Sequence, residues 1–209
     1  MPIYWSMLLV IVFFGMLCYL TPKRIITIEG YKVRRVNKAF VFIMIAYVVI
    51  FLGFRDVVLD TGAYIDSFNI LPDDFRNLVL YLKGIDSGKG FYLLAGLFKI
   101  LISSNHYVWL FFLASISCVC LFRTLYKYSV DFPLTAYLFI ATTTFTWLLN
   151  GSRQFLVVSI LFGFIDWLIE GKKIQYIFLA LLLTTIHSSS IFMIVIVLFI
   201  SSEEIFGKR

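Results

Sequence analysis

The chain has 209 residues, of which 61% are hydrophobic, 19% aromatic and 14% charged, with a net charge of +6 and a mean hydropathy of +0.96. Soluble domains carry about 45–50% apolar and about 25% charged residues, so a soluble enzyme, a disordered tail, a collagen-like fibre and a secreted disulfide scaffold are all excluded. A nucleic-acid face is excluded as well, because one segment holds most of the positive excess. From Thr21 to Lys38 the chain carries Lys23, Arg24, Lys32, Arg34, Arg35 and Lys38 against Glu29, a net +5. The expected class is an all-α polytopic integral membrane protein.

Tyr4–Leu20 is the first expected span. No basic stretch precedes it and no small-residue cleavage site follows, so it reads as a retained helix rather than a signal peptide. The basic loop Thr21–Lys38 is expected on the cytoplasmic side, which puts the amino terminus outside. Ala39–Phe54 then crosses, and Arg55–Lys89 emerges on the outer face with Asp56, Asp60, Asp66, Asp73, Asp74 and Asp86. Within that stretch Phe75, Leu78, Val79 and Leu82 recur at helical spacing behind Pro72-Asp73-Asp74, the pattern of a short amphipathic helix on the membrane surface. Phe91–Ile102 is apolar, yet a helix of that length rises only about 18 Å against a hydrocarbon core of about 30 Å. With Lys99 inside it, the segment is expected to be interfacial or re-entrant.

His106–Phe122, Phe132–Leu149 and Gln154–Ile169 are further spans, and Ile174–Ile200 is a longer apolar run interrupted by His187-Ser188-Ser189-Ser190. As one straight helix that run would rise about 40 Å, so it either tilts or breaks near His187. A break at membrane depth is tolerated only within protein or beside water. The sum is about six transmembrane helices plus an outer amphipathic or re-entrant segment, in one multi-spanning domain over residues 1–209. The runs are continuously apolar, without the alternation of a barrel. Trp5, Trp109, Trp147 and Trp167 each lie within a few residues of an expected span end. Cys18, Cys118 and Cys120 fall inside apolar runs and give neither a disulfide framework nor a zinc pattern. His106 and His187 are far apart in sequence and no metal or other cofactor is expected.

Ionisable groups at membrane depth are costly and are candidates for function. Arg55 ends the second span, followed by Asp60 and Tyr64, and Arg153 opens the fifth in Asn150-Gly151-Ser152-Arg153-Gln154. Asn150 or Ser152 is expected to cap that helix, whose free N–H groups together with Arg153 suit a phosphate. A structural arginine is an equally good reading of both positions, and a packed structural histidine is the plain reading of His187. The Asn150-Gly151-Ser152 glycosylation sequon is a chance match at the membrane edge. On the expected topology Arg55, Asp60, Tyr64, Arg153 and His187 collect on the outer side. Two guanidiniums suit a pyrophosphate, and a histidine or carboxylate can take a proton from an attacking hydroxyl. Asp166, near the other end of the fifth span, either pairs near the interface or serves a separate purpose.

Gly53-Phe54-Arg55 followed by Asp60-Thr61 and Tyr64, then Gly90-Phe91-Tyr92-Leu93-Leu94, Asn150…Arg153-Gln154 and His187-Ser188-Ser189, resembles the EpsG family of Wzy-like bacterial exopolysaccharide polymerases. The ordered likeness runs from about residue 40 to about residue 195. It implies joining of oligosaccharide repeats carried on polyprenyl pyrophosphate, at the outer face of the cytoplasmic membrane. By the same resemblance Arg55 and Arg153 would hold the pyrophosphate. His187 or Asp60 would be the base for the acceptor hydroxyl, and Tyr64 and Gln154 would be further substrate contacts. Membrane lipids and other polysaccharide-export proteins are the implied partners. Lys89 stands where relatives often have an acid. Relatives are usually longer, so a short or C-terminally truncated member is expected. A transporter or flippase component for lipid-linked sugars, or a non-catalytic assembly partner, are the competing readings.

Overall fold

The computed structural model describes residues 2–21, 24–28, 31–55 and 59–199; Lys23, Glu29, Asp56 and Ser201–Arg209 lie outside the described residues. Helix α1 (Pro2–Leu20) leads into strands β1 (Arg24–Ile28) and β2 (Tyr31–Arg35), followed by α2 (Lys38–Gly53), α3 (Thr61–Asn69), α4 (Phe75–Lys83) and α5 (Lys89–Leu101). Then come α6 (His106–Tyr128), α7 (Phe132–Ala141), α8 (Thr143–Asn150), α9 (Ser152–Gly163), α10 (Asp166–Ile169), α11 (Lys173–Thr184), a 3-10 turn (Ser188–Ser190) and α12 (Ile191–Phe199).

The architecture is helical as expected, and the basic loop adds a short antiparallel hairpin with Arg24 opposite Arg35 and Ile28 opposite Tyr31. Arg24–Ile28 reads Arg-Ile-Ile-Thr-Ile, a β-branched run that prefers a strand where no packing selects a helix. The hairpin is tied to the end of α6. The Arg35 guanidinium donates to the Tyr126 carbonyl and, at 2.6 Å, to the Lys127 carbonyl, and it lies 5.0 Å over the Tyr126 ring. These are carbonyls of the last helical turn, which have no partner within the helix.

Of the expected six or so spans, two or three are supported. By length and composition His106–Tyr128 and Ser152–Ile169 qualify alone, and a third qualifies if α7 and α8, bent by 55° at their junction, form one broken span. Tyr4–Leu20, Lys38–Gly53, Lys173–Thr184 and Ser188–Phe199 are apolar helices of 10–17 residues. The run expected at Ile174–Ile200 is broken at His187, where backbone geometry is extended (φ −147°, ψ 123°). Phe91–Ile102 is helical within α5 and, at 13 residues, too short to cross.

The long helix α6 is the centre of the bundle, packing along α2 on one side and α9 on the other, with α7, α3 and α5 also against it. Its antiparallel course relative to α2 is fixed at both ends. Arg35 meets Tyr126 at one, and Phe54 stacks on Tyr107 with centroids 6.5 Å apart at the other. Close approach near the second end depends on Gly53: a Cβ there would lie 2.8 Å from the Phe111 Cα, a backbone atom that cannot swing aside.

Helices α3 and α5 pack on the first turns of α6 through an aromatic cluster, and α4 packs on α5. The Trp109 ring stacks on Phe68 at 5.6 Å and 10°, and Phe98 and Phe91 stand 5.1 and 5.8 Å from it. Trp109 is only 1% exposed, so this tryptophan, although near a helix end as expected, faces the packed α3–α5 layer rather than lipid. Trp5 and Trp147 are both 61% exposed, as interfacial rings are. Helix α4 opens at Asp74, whose carboxylate accepts from the Asn77 amide at 2.9 Å, as Pro72-Asp73-Asp74 suggests. Its stripe divides, with Leu78 buried and Phe75 and Val79 exposed.

Lys99 keeps a nearly buried side chain, which donates to the carbonyls of Asn69 and Leu71 and pairs with Asp73 at 3.1 Å. It thereby closes the C-terminal end of α3 from the neighbouring α5. Asp166 pairs with Lys127 at 2.8 Å and accepts from the Tyr128 hydroxyl, so it closes the α6–α9 interface at the hairpin end.

Overpacking against backbone costs about 1–3 kcal/mol. Gly53→Val is expected to lower the thermal midpoint in detergent by several degrees. Gly84→Ala is the control, because the nearest atom to its Cβ is at an ordinary 3.6 Å, and its midpoint should be unchanged.

Candidate functional site

At the end of the bundle opposite the hairpin, α2 and α11 finish and α6 and α9 begin. Polar groups kept out of the apolar middle therefore converge there from distant parts of the chain. Asp60 precedes α3 and uses no side-chain hydrogen bond to cap it, which leaves its carboxylate to the surroundings. The residue before it, Leu59, has φ +55°, a left-handed conformation that is costly for a branched side chain.

Arg153 is on the first turn of α9, half-buried beside two rings. Its guanidinium carbon lies 5.7 Å from the Phe91 centroid and 5.8 Å from the Tyr92 centroid, within the range of cation–π attraction. The start of α5 has to come close for this contact. Gly88 turns with φ +71°, the Gly90 amide donates to the Thr185 carbonyl at 2.8 Å, and a Cβ on Gly88 would stand 2.9 Å from the Arg153 Nη1. The Gly90-Phe91-Tyr92 stretch thus holds Arg153 and docks on the end of α11. Arg153, Asp60, Tyr64, Ser67, Phe91 and Tyr92 line a pocket of about 230 Å³, and the Tyr64 hydroxyl stands 3.5 Å from the Arg153 amide.

His187 lies in the break between α11 and the 3-10 turn. Its Nδ1 is 2.8 Å from the Ser189 hydroxyl and 3.3 Å from the Ser189 amide. Because an amide N–H can only donate, Nδ1 is the acceptor there, and the neutral ring in this arrangement carries its proton on Nε2. Partial burial, and then the charge of Arg153, hold its pKa below the ordinary 6.5. The imidazole is therefore neutral at pH 7.

Arg55 is placed differently. It is 6% exposed, donates to the Ser152 hydroxyl at 2.8 Å, and faces a cavity of about 20 Å³ bordered by Ser117 and Leu113. That space is the size of one water and too small for a phosphate. Burial pulls its pKa down to about 10, which still leaves a cation at neutral pH. Its Nε has no protein partner among the described residues. Ser152 is consequently engaged by Arg55 and does not cap α9, and Asn150 ends α8; the N-cap position is Gly151, without a side-chain bond. This corrects the expected cap, and the reason is that a buried guanidinium needs the serine oxygen more than the partly exposed helix end does.

Gln154, one residue on from Arg153 and so about 100° around the helix, lines a different pocket of about 240 Å³ with Thr144, Trp147 and Gly151. The structure brings Asp60, Tyr64 and Arg153 to one pocket with His187 beside Arg153. It sets Arg55 behind them and Gln154 on the other face of α9. Phe91, Tyr92 and Ser189 stand in the segments that carry the resemblance but had no role assigned there, and Ser67 had no signal at all; only the Gly88…Gly90 spacing hints at a close backbone approach. Among the described residues no group of three or more His, Cys, Asp or Glu side chains is arranged to hold a metal.

A family model described as the EpsG family matches residues 38–205, more than half of the chain and all of the elements that build this site. No curated protein and no solved structure gives a match. An apolar helical bundle that gathers the Gly-Phe-Arg, Gly-Phe-Tyr, Arg-Gln and His-Ser segments at one end is what that match covers, and the chain belongs to the EpsG family.

Proposed function

We propose that this membrane protein joins polyprenyl-pyrophosphate-linked oligosaccharide repeats during exopolysaccharide synthesis, at the outer face of a bacterial cytoplasmic membrane. The observation that carries the reading is Arg153: a guanidinium held by Phe91 and Tyr92 at a pocket that also takes Tyr64 and Asp60. The ion pairs among the described residues use lysines only, so this arginine keeps its charge available for an anionic ligand. In the proposed reaction an acceptor hydroxyl attacks the anomeric carbon, the carbon–oxygen bond to pyrophosphate breaks, and the lipid pyrophosphate leaves. Arg153 stabilises the departing charge, and Asp60, or His187 once its ring proton has moved to Nδ1, takes the hydroxyl proton. Arg55 acts from behind by holding Ser152 and hence the first turn of α9. The basic hairpin end is then cytoplasmic, with the amino terminus outside.

A transporter or flippase component for the same lipid-linked sugars is the second reading. It is favoured by two interrupted helices, α7–α8 bent by 55° and the break at His187, since discontinuous helices often form transport sites.

Removal of a group that meets transition-state charge lowers rate by about 10²–10³. Arg153→Ala, at unchanged protein level, should therefore leave polymer at or near a single repeat when chain length is measured on gels. Normal chain length in that variant would remove the polymerase reading. Translocation of lipid-linked sugar by reconstituted vesicles without glycosidic bond formation would instead favour transport.

The lowered pKa of His187 sets a second expectation. A base must be unprotonated, so activity should fall only as pH drops through the histidine value below 6.5. The acid limb of kcat/KM should lie under that pH and disappear with His187→Gln while persisting in Asp60→Asn. The opposite pattern assigns the base to Asp60.

A further inference from the structure

We propose that the groove between α2 and α6 is a binding site for one anionic phospholipid, with an acyl chain along the groove and the phosphate between Lys38 and Arg123. The groove has a volume of about 560 Å³ and runs the length of the two helices. Phe42 and Ile50 of α2 and Val119 of α6, all more than half exposed, form its walls, and the small Ala46 leaves its middle open. The polar side chains along it are spent elsewhere. The Ser115 hydroxyl donates to the Phe111 carbonyl of its own helix at 2.7 Å, and the Tyr126 hydroxyl donates to the Val36 carbonyl at 3.3 Å. The walls therefore present hydrocarbon.

The charge is at one end only. Because α2 and α6 are antiparallel, the first residue of α2 and the penultimate turn of α6 come to the same end, and both charged lining residues, Lys38 and Arg123, are there and exposed. Arg123 feels the carboxylate of Asp166, but that group is already held by Lys127 and Tyr128. Neither cation is in an ion pair among the described residues. Length agrees as well: Lys38 to Ile50 rises about 18 Å along the helix, against about 15 Å for one leaflet of a core about 30 Å thick. A lipid with its phosphate at Lys38 and Arg123 thus fits a single leaflet, on the side of the basic hairpin. Two cations select a net negative headgroup over a zwitterionic one. None of these residues belongs to the pocket around Arg153, so the site stands apart from the polymerase reading.

The test is native mass spectrometry of the protein released from nanodiscs of equal phosphatidylglycerol and phosphatidylcholine with matched chains. One phosphatidylglycerol should be retained in preference. Lys38→Gln should lower its retention about fivefold, and Lys38→Gln with Arg123→Gln about thirtyfold. Val119→Trp fills the groove from its exposed side and leaves both cations in place; it should also lower retention, as should Ala46→Trp. Equal retention of the two lipids overturns the proposal. So does undiminished phosphatidylglycerol in the double charge variant or in Val119→Trp, or a dimer mass showing that a second copy covers the groove.

Discussion

A charge taken out of water needs a replacement for its hydration, and the architecture of this bundle follows from where that replacement can be found. Most cations stay at the hairpin end, where Arg35 finishes α6 and Lys127 pairs with Asp166. Two cations are buried at the other end, and each finds its partner in an element other than its own. Lys99 of α5 takes the carbonyls that close α3, and Arg55 beyond α2 takes the hydroxyl that opens α9. Each buried cation is thus a tie between two segments that are far apart in sequence.

Those ties explain how a polar pocket is kept at the end of an apolar bundle. The aromatic cluster around Trp109 seats α3 and α5 on α6, and Arg55 fixes the first turn of α9 beside them. Arg153 then meets Phe91 and Tyr92 because the glycines at the start of α5 allow its backbone to approach. A helix break at His187 adds the last group, since an uninterrupted helix would have presented that ring to one fixed direction. Rigid helices and one irregular corner together make the site. The same antiparallel packing of α2 on α6 leaves a groove whose apolar walls end in two cations.

Much of this was legible in the residues. The membrane class follows from composition, the start of α4 from Pro72-Asp73-Asp74, and the choice between a tilt and a break near His187 from an apolar run too long for the bilayer. The family resemblance rested on segments that do converge in space. Other features had no local signal strong enough to find them. The hairpin was hidden in a loop read for its charge, although Arg24–Ile28 is rich in β-branched residues. The bend between α7 and α8 lies in a continuously apolar stretch where nothing polar marks a boundary. Ser152 looked like a cap because capping is a local preference, and it lost that role to a guanidinium ninety-seven positions away in the chain.

By itself the sequence determined that this chain is a helical membrane protein, that its positive charge is concentrated beside its first helix, and which few ionisable residues have to be accounted for. These are properties of composition and periodicity, and they need no knowledge of neighbours. Only the tertiary structure decided that Arg153 borders the pocket while Arg55 is buried behind it, and that Gln154 faces another way. The two arginines are the same chemical group at the same end of the bundle. What separates them is which side chains pack around each, and that depends on contacts between segments that periodicity cannot relate.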